Sequence, residues 1–216
     1  MFATDCHLLP YEPRLFQDVA WAGQRLVSST NAGTINALGD RLTISGAALA
    51  DWGVEPGWVV VVNDTPLEIT EVLNGTQARV SRVRSNADEP PRRAAPGAGL
   101  PVLLHTFRHQ IDEAGRMILR SFGLVHSLDA GPDDLTEAHI TNAASLRGAA
   151  VFGALQAIFD SASTGAPQAS MLQRRAEQYS HRFAAALRQV RLGLDLTGDG
   201  LPDEVRRLDA SRLERS

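Results

Sequence analysis

The sequence predicts an α+β protein: a helical bundle that carries an inserted small β-barrel of the SH3-like or OB-like kind. Three observations lead there. Between Gln24 and Phe107, short β-prone runs alternate with turn signals. From His105 onward, apolar residues recur at helical steps of three and four. Ahead of the β-prone region, the stretch from Asp5 to Ala22 also has a helical pattern. The division that follows is a helical core made of residues 1–23 and 108–216, with residues 24–107 inserted as the barrel.

The elements can be justified in order. Asp5 is placed to cap a first turn, and Pro13 suits the first turn of a second helix, where its missing N–H is not needed. Leu15, Phe16, Val19 and Ala20 would share a face of that helix. Strands are expected at Gln24–Ser29, Arg41–Ser45, Trp58–Val62, Leu67–Val72, Ala78–Val83 and Leu100–His105. Gly33, Gly39-Asp40, Glu55-Pro56-Gly57, Asn63-Asp64 and Asn74-Gly75 separate them. Of these, Asn74-Gly75 is the strongest hairpin signal, because both residues tolerate the left-handed backbone of a tight turn. Ser85 to Gly99, rich in Pro, Gly, Ala and Arg, reads as a long loop.

In the second half, Phe107, Ile111, Ile118, Leu119 and Phe122 form one apolar face, and Gly123 ends that helix. A second helix is expected over Leu135–Phe159, capped by Asp133 or Asp134 with Glu137 following. The third is the clearest: Leu172, Ala176, Tyr179, Phe183, Leu187 and Val190 make a single stripe, with arginines on the other faces. A short helix from Asp203 to Leu213 would close the chain.

Composition narrows the function. The chain has 216 residues, 44% of them apolar, with 21% charged and a formal net charge of −4. That balance does not suit a basic nucleic-acid binder or a disordered acidic tail. Every basic residue among the 21 Lys+Arg positions is arginine. A GC-rich genome accounts for this, and guanidinium forks also suit subunit interfaces. Cys6 is the single cysteine, so no internal disulfide or cysteine metal cluster is expected. No basic-then-apolar leader and no membrane-length apolar run are visible, and synthesis in the cytoplasm is expected.

Few residues suggest chemistry. His105 and His109 stand four apart, but no glutamate follows His105 as a zinc-protease helix would require. No Gly-x-Ser-x-Gly elbow is present, and a chain without lysine cannot form a lysine-bearing phosphate loop. Asp112-Glu113 and Asp133-Asp134 are adjacent carboxylates, which diverge and make poor acid/base pairs. Trp52 and Trp58 would be the first aromatics of a binding patch, although core or turn packing explains them equally. No enzyme and no cofactor are expected.

One constellation stands out. Asp195, Thr197 and Asp199 occupy positions one, three and five of a calcium-loop pattern, Gly200 the sixth, and the Leu201 carbonyl and Asp203 carboxylate the seventh and ninth. Arg206 stands where the bidentate glutamate belongs, so an EF-hand is excluded. Two readings stay open: a weak structural calcium site, or an acidic turn with a left-handed Gly200 and a capping Asp203. The residues after it are amphipathic, and Val205, Arg206, Leu208, Arg212 and Leu213 are candidates for docking on a partner.

The chain resembles the head-to-tail adaptor, or connector, proteins of tailed phages. The resemblance rests on Leu8-Leu9-Pro10-Tyr11-Glu12-Pro13-Arg14-Leu15-Phe16 and on Thr43 to Val60, where a Gly-Val-x-Pro-Gly turn precedes a strand. It rests also on the helices around Ala143–Ala162 and Arg175–Phe183, and on the Leu194–Gly200 tail. Trp58 stands where related modules carry aspartate. The resemblance implies a structural virion protein of the neck that packs with copies of itself into a ring, commonly of twelve. It further implies a C-terminal segment that reaches the portal protein, a next neck or tail protein as the other neighbour, and DNA passing through the lumen without sequence-specific binding. Another neck, tail-completion or baseplate role is the alternative, and a monomeric peptide- or glycan-binding module is a third.

Overall fold

A computed structural model describes residues 2–84, 89–164 and 168–208. The chain is α+β, with a closed six-stranded antiparallel barrel and several helices. It divides into two compact units, residues 4–108 and residues 2–3 with 109–208. Residues 4–23, expected with the helical core, belong to the barrel unit.

The barrel strands are β1 (Gln24–Ile35), β2 (Arg41–Ile44), β3 (Val59–Val62), β4 (Thr65–Val72), β5 (Gln77–Arg82) and β6 (Gly97–Thr106), in the order β1-β2-β5-β4-β3-β6. Side chains two apart share a face of a strand. Leu42 and Ile44, Val60 and Val62, Leu67 and Ile69, Ala78 and Val80, and Val102 and Leu104 accordingly fill the interior. Trp58 belongs to that core and Trp52 packs against it, so neither forms an exposed aromatic patch.

Closure depends on β1, which pairs with β6 along most of its length and with β2 at Gly33–Ile35. Gly33 faces both neighbours, Ile44 on β2 and Leu100 on β6. A β-carbon there would overlap the Val102 side chain. The tight two-residue hairpin is at Asn63-Asp64, both left-handed, with φ of 47° and 61°, between the paired residues Val62 and Thr65. Asn74-Gly75, expected to be that turn, is a wider loop. Asn74 Oδ1 accepts the backbone N–H groups of Thr76 and Gln77, each at 2.9 Å, and the side chain shapes the turn in place of a left-handed glycine. β6 begins at Gly97, so the expected long loop is shorter at that end; residues 85–88 lie outside the described residues.

Val59 and Val61 point away from the interior yet are buried, because a strap made of residues 4–23 covers them. The strap is more irregular than predicted. It consists of a 3-10 turn at Asp5–Leu8, α1 (Leu15–Asp18) and a 3-10 turn at Ala20–Ala22. Its apolar residues Leu8, Leu15, Phe16 and Val19 are buried. A nearly buried ion pair, Arg84 with Glu68, braces the barrel with two bonds of 2.8 and 3.1 Å. Glu68 holds the Arg84 guanidinium above its ordinary pKa.

The helical unit contains α2 (Arg108–Ser121, whose first residue belongs to the barrel unit), α3 (Arg147–Ser163) and α4 (Ala169–Gln189). Gly123, at φ +69°, follows α2 as its spacing predicts. The α4 stripe is inward as expected, with Leu172, Ala176, Tyr179, Leu187 and Val190 buried. The helix expected over residues 135–159 starts only at Arg147. Before it run two 3-10 turns, Glu137–His139 and Ala143–Leu146, the first capped by Thr136 rather than by Asp133 or Asp134. Helices α2, α3 and α4 meet at Gly153: a β-carbon there would stand 3.0 Å from Ala114 and 3.1 Å from the Phe183 ring. No helix of the described residues is long and apolar enough to cross a membrane.

Gly33→Val tests the closure. It should destabilise the protein by about 2 kcal/mol or more, as overpacking of a filled site does. Gly75→Ala, at a position with open space, should change stability by less than about 0.5 kcal/mol. Equal urea midpoints for the two variants would remove Gly33 from its role.

Candidate functional site

The C-terminal candidates lie on a small hairpin, β7 (Leu192–Leu194) with β8 (Glu204–Arg206). Leu192 and Leu194 are fully buried and anchor it. Gly193 sits where a β-carbon would meet Thr141 Oγ1 at 2.5 Å, and its N–H donates to Asn142 Oδ1 at 3.0 Å. Asn142 Nδ2 donates to the Arg191 carbonyl at 2.7 Å, and Asp195 N–H to the His139 carbonyl at 2.8 Å. These contacts fix the hairpin against residues 139–142.

The loop between the strands is organised by its own carboxylates. Asp195 accepts backbone N–H groups from Thr197, Gly198 and Gly200, at 3.1, 2.6 and 2.7 Å. Those bonds favour the charged form and hold the Asp195 carboxyl below its ordinary pKa, the Gly200 bond contributing most. Asp203 Oδ2 accepts from the N–H of Leu196 at 2.8 Å and of Thr197 at 3.0 Å, and from Thr197 Oγ1 at 3.1 Å. Asp199 Oδ1 accepts from Leu201 N–H at 2.8 Å. Gly198 and Gly200 are left-handed, as the turn reading required of Gly200. Asp203 does not cap a helix: a strand follows it where a helix was expected from Asp203 onward. Among the described residues, no three His, Cys, Asp or Glu side chains converge as a metal site.

The docking candidates separate. Val205 is 56% exposed and Leu208 37%. Leu196 and Leu201, in the loop, are exposed at 48% and 65%. Arg206 instead turns to its own chain, donating to the Phe122 carbonyl at 2.7 Å and to Glu204 at 2.9 Å. Arg212 and Leu213 lie outside the described residues.

The other sequence candidates are not brought together. His105 is on β6 and His109 on α2, so they share no helix face. Asp112 and Glu113 are consecutive on α2, and Asp134 accepts the Gly131 N–H at 2.8 Å. A groove of about 630 Å3 on the barrel wall is lined by residues that include Gln17, Ser28, Thr30, Asn63, Asp64 and Leu103. Asp64 is its one ionisable side chain among the described residues, which is too little for acid/base chemistry.

The strap holds a cluster that sequence reasoning missed. Asp5, fully buried, does not cap its own turn. It accepts Thr106 Oγ1–H at 2.6 Å and Phe107 N–H at 3.0 Å, at the end of β6. Burial raises its pKa from 3.8 to about 7, against the lowering effect of Thr106, Phe107 and Arg108. Burial likewise pushes the Cys6 thiol up to about 11 and lowers His105 to about 4. His105 lies 5.0 Å from the Phe16 ring and 5.3 Å from Phe107, and neither ring nitrogen meets a partner among the described residues. Gly23 closes over it, with room for no β-carbon. The only sequence signal was the polar residues inside the apolar context of Leu100–Phe107.

These two groups predict opposite pH slopes. The raised Asp5 pKa means that the folded state binds more protons than the unfolded one between about pH 4 and 7, and its contribution to stability falls as pH rises through that window. The depressed His105 pKa means that its contribution falls as pH drops from 6.5 to about 4. His105→Phe should therefore stabilise the protein by about 1 kcal/mol at pH 7, by removing unpartnered nitrogens, and by more at pH 5. Asp5→Asn should lose most relative to wild type at acid pH and least above pH 7. Urea unfolding across pH 4–8 checks both; a His105→Phe gain that does not grow on acidification contradicts the assignment.

Neither a family model, nor a curated protein, nor a solved structure matches this chain at a significant level.

Proposed function

We propose that this chain is a structural component of a tailed-phage virion, a head-to-tail adaptor. Copies of it form a ring, commonly of twelve in the proteins it resembles, that joins the portal protein to the next neck or tail protein. In this reading the helical unit acts as the adaptor core, and the barrel unit, which includes residues 4–23, is a module of the SH3- or OB-like kind. DNA passes through the lumen without being read.

The observation that carries the proposal is the apolar surface of residues 196–208. Leu196, Leu201, Val205 and Leu208 are exposed on a hairpin whose backbone is firmly anchored. A rigid element that presents apolar side chains to water suits docking on a partner better than independent existence. Val205 and Leu208 are the residues assigned to the portal, with Arg212 and Leu213 following them in sequence. Arg206 serves to hold the hairpin. The slightly acidic net charge agrees with a passage that does not grip phosphates, since each neutralised phosphate adds affinity that passage must undo.

A second reading, a monomeric peptide- or glycan-binding module, draws on the barrel groove lined by Gln17, Ser28, Thr30 and Asn63. Another neck, tail-completion or baseplate position would use the same hairpin on a different neighbour.

Val205→Asp with Leu208→Asp separates these readings. The double variant should keep the wild-type melting temperature, because both side chains are exposed, and lose co-purification with portal-bearing heads at least tenfold. Unchanged incorporation into particles would contradict the docking role.

A further inference from the structure

We infer that the helical unit docks head to tail on a second copy of this chain, the arginine face of α4 seating against the acidic loops 128–137 and 195–204 of its neighbour. The inference rests on the ring reading and names the surfaces that would close the ring.

The α4 face is read from helical geometry. Arg174, His181 and Arg188 follow at steps of seven, two turns each, so they lie in one row, while Arg182 lies about a quarter-turn round the helix, over the Tyr179 and Phe152 rings. All four are exposed. The row lies on the side opposite the buried Leu172, Ala176, Tyr179 and Leu187. Glu177, the only acidic residue of α4, lies in the same row between Arg174 and His181, so the helix stays net basic through its four arginines, Arg174, Arg175, Arg182 and Arg188, against this one carboxylate. Among the described residues, no carboxylate lies within 4 Å of Arg174, Arg182 or Arg188. The Arg182 guanidinium lies 5.3 Å from the Tyr179 ring, which steadies it without neutralising it.

The acidic surface is the counterpart. Residues 128–137 and 195–204 contain eight Asp and Glu residues and no Lys or Arg. The two stretches are tied together by the bridge from Ile140 to Leu194 and by the Asp195 N–H bond to the His139 carbonyl. Asp134, Asp195 and Asp203 accept backbone N–H groups, which fix their geometry and leave their charge in place. Asp133 and Asp199 are exposed and in no ion pair with a described residue. Among the described residues, Asp129 and Glu204 pair with an arginine, Arg116 and Arg206.

A contact that generates a ring must join two different patches of one subunit. Among the described residues, this unit carries two patches of opposite charge that no ion pair joins. Electrostatic complementarity of this kind fixes partner and register. Nucleic acid would also suit the arginine row, but the acidic loops and the net charge of −4 would repel it. A second copy matches both patches at once.

Charge reversal on the full-length chain tests this. One variant carries Arg174→Glu, Arg182→Glu and Arg188→Glu; the other carries Asp133→Arg and Asp199→Arg. Sedimentation at low salt should show wild type self-associating, and association should weaken roughly tenfold or more at 0.5 M salt, where screening acts within about 4 Å. Each variant alone should sediment as a monomer. Their equimolar mixture should associate again, since each supplies the face that the other lacks, and this also shows that both variants are folded. Association by either variant alone overturns the interface and leaves the ring reading standing. A wild type that stays monomeric at millimolar concentration and low salt overturns both. Duplex DNA binding that the α4 variant loses, with self-association unaffected, overturns the inference and assigns the row to nucleic acid.

Discussion

The barrel exists because β1 can be paired on both of its edges, and it can be so only where Gly33 leaves space for Val102. At that residue the strand meets β2 on one side and β6 on the other, and the sheet becomes a closed surface with no edges there. Closure removes the alternating core residues of six strands from water in one step. It also leaves the outer valines of β3 in need of cover, and the strap of residues 4–23 supplies it. The strap carries Asp5 and His105 into burial, two groups whose charged forms the site disfavours. The hydrophobic gain from Leu8, Leu15, Phe16, Val19, Val59 and Val61 must offset their desolvation.

The helical unit follows a similar rule with smaller residues. α3 presents Ala149, Ala150, Gly153, Ala154 and Ala162 inward, so its neighbours approach closely. Larger groups then lock the arrangement: Phe159 and Tyr179 stack with centroids 5.8 Å apart and planes 7° from parallel. Beyond α4, the hairpin is fixed by the buried Leu192 and Leu194 together with hydrogen bonds from Asn142 and Arg206. That explains how a segment with four exposed apolar side chains holds its shape. A rigid, partly apolar projection on a well-packed helical unit is what an assembly contact requires.

Much of this was legible in the sequence, and the exceptions have physical causes. Most strand positions followed from turn residues, since Gly and Asn-Asp sequences accept the left-handed backbone of tight turns, but Gly33, expected as a turn, lies inside β1 and pairs on both sides. The α4 stripe was visible because one buried face of a long helix imposes its period. Asp5 was not, because its partners lie 101 and 102 residues away and no local pattern announces such a bond. The stretch before Arg147 carries helical composition but holds Thr136, whose hydroxyl accepts the Ala138 N–H, and Asn142, whose side chain bonds the backbone of Arg191 and Gly193 instead of capping a longer helix. The end of the chain misled for the same reason as Asp5. Val205 and Arg206 pair with Gly193 and Leu192, so a strand wins over a helix that only local residues favoured. At the candidate site, the exposure of the Leu196 and Leu201 side chains is not legible in the sequence, where Leu201 stands out only for its carbonyl, because exposure is a property of the fold.

The proposed function turns on assembly. The helices bury their stripes within the chain, while the hairpin and the outer faces remain for neighbours. Electron microscopy of a particle neck purified from producing cells tests this most directly. The account predicts a closed ring of copies of this chain around the DNA axis, stacked on the portal, with residues 196–208 at that junction. Particles that assemble fully without this chain, or a chain found only as a free monomer with a small molecule seated in the barrel groove, would contradict it.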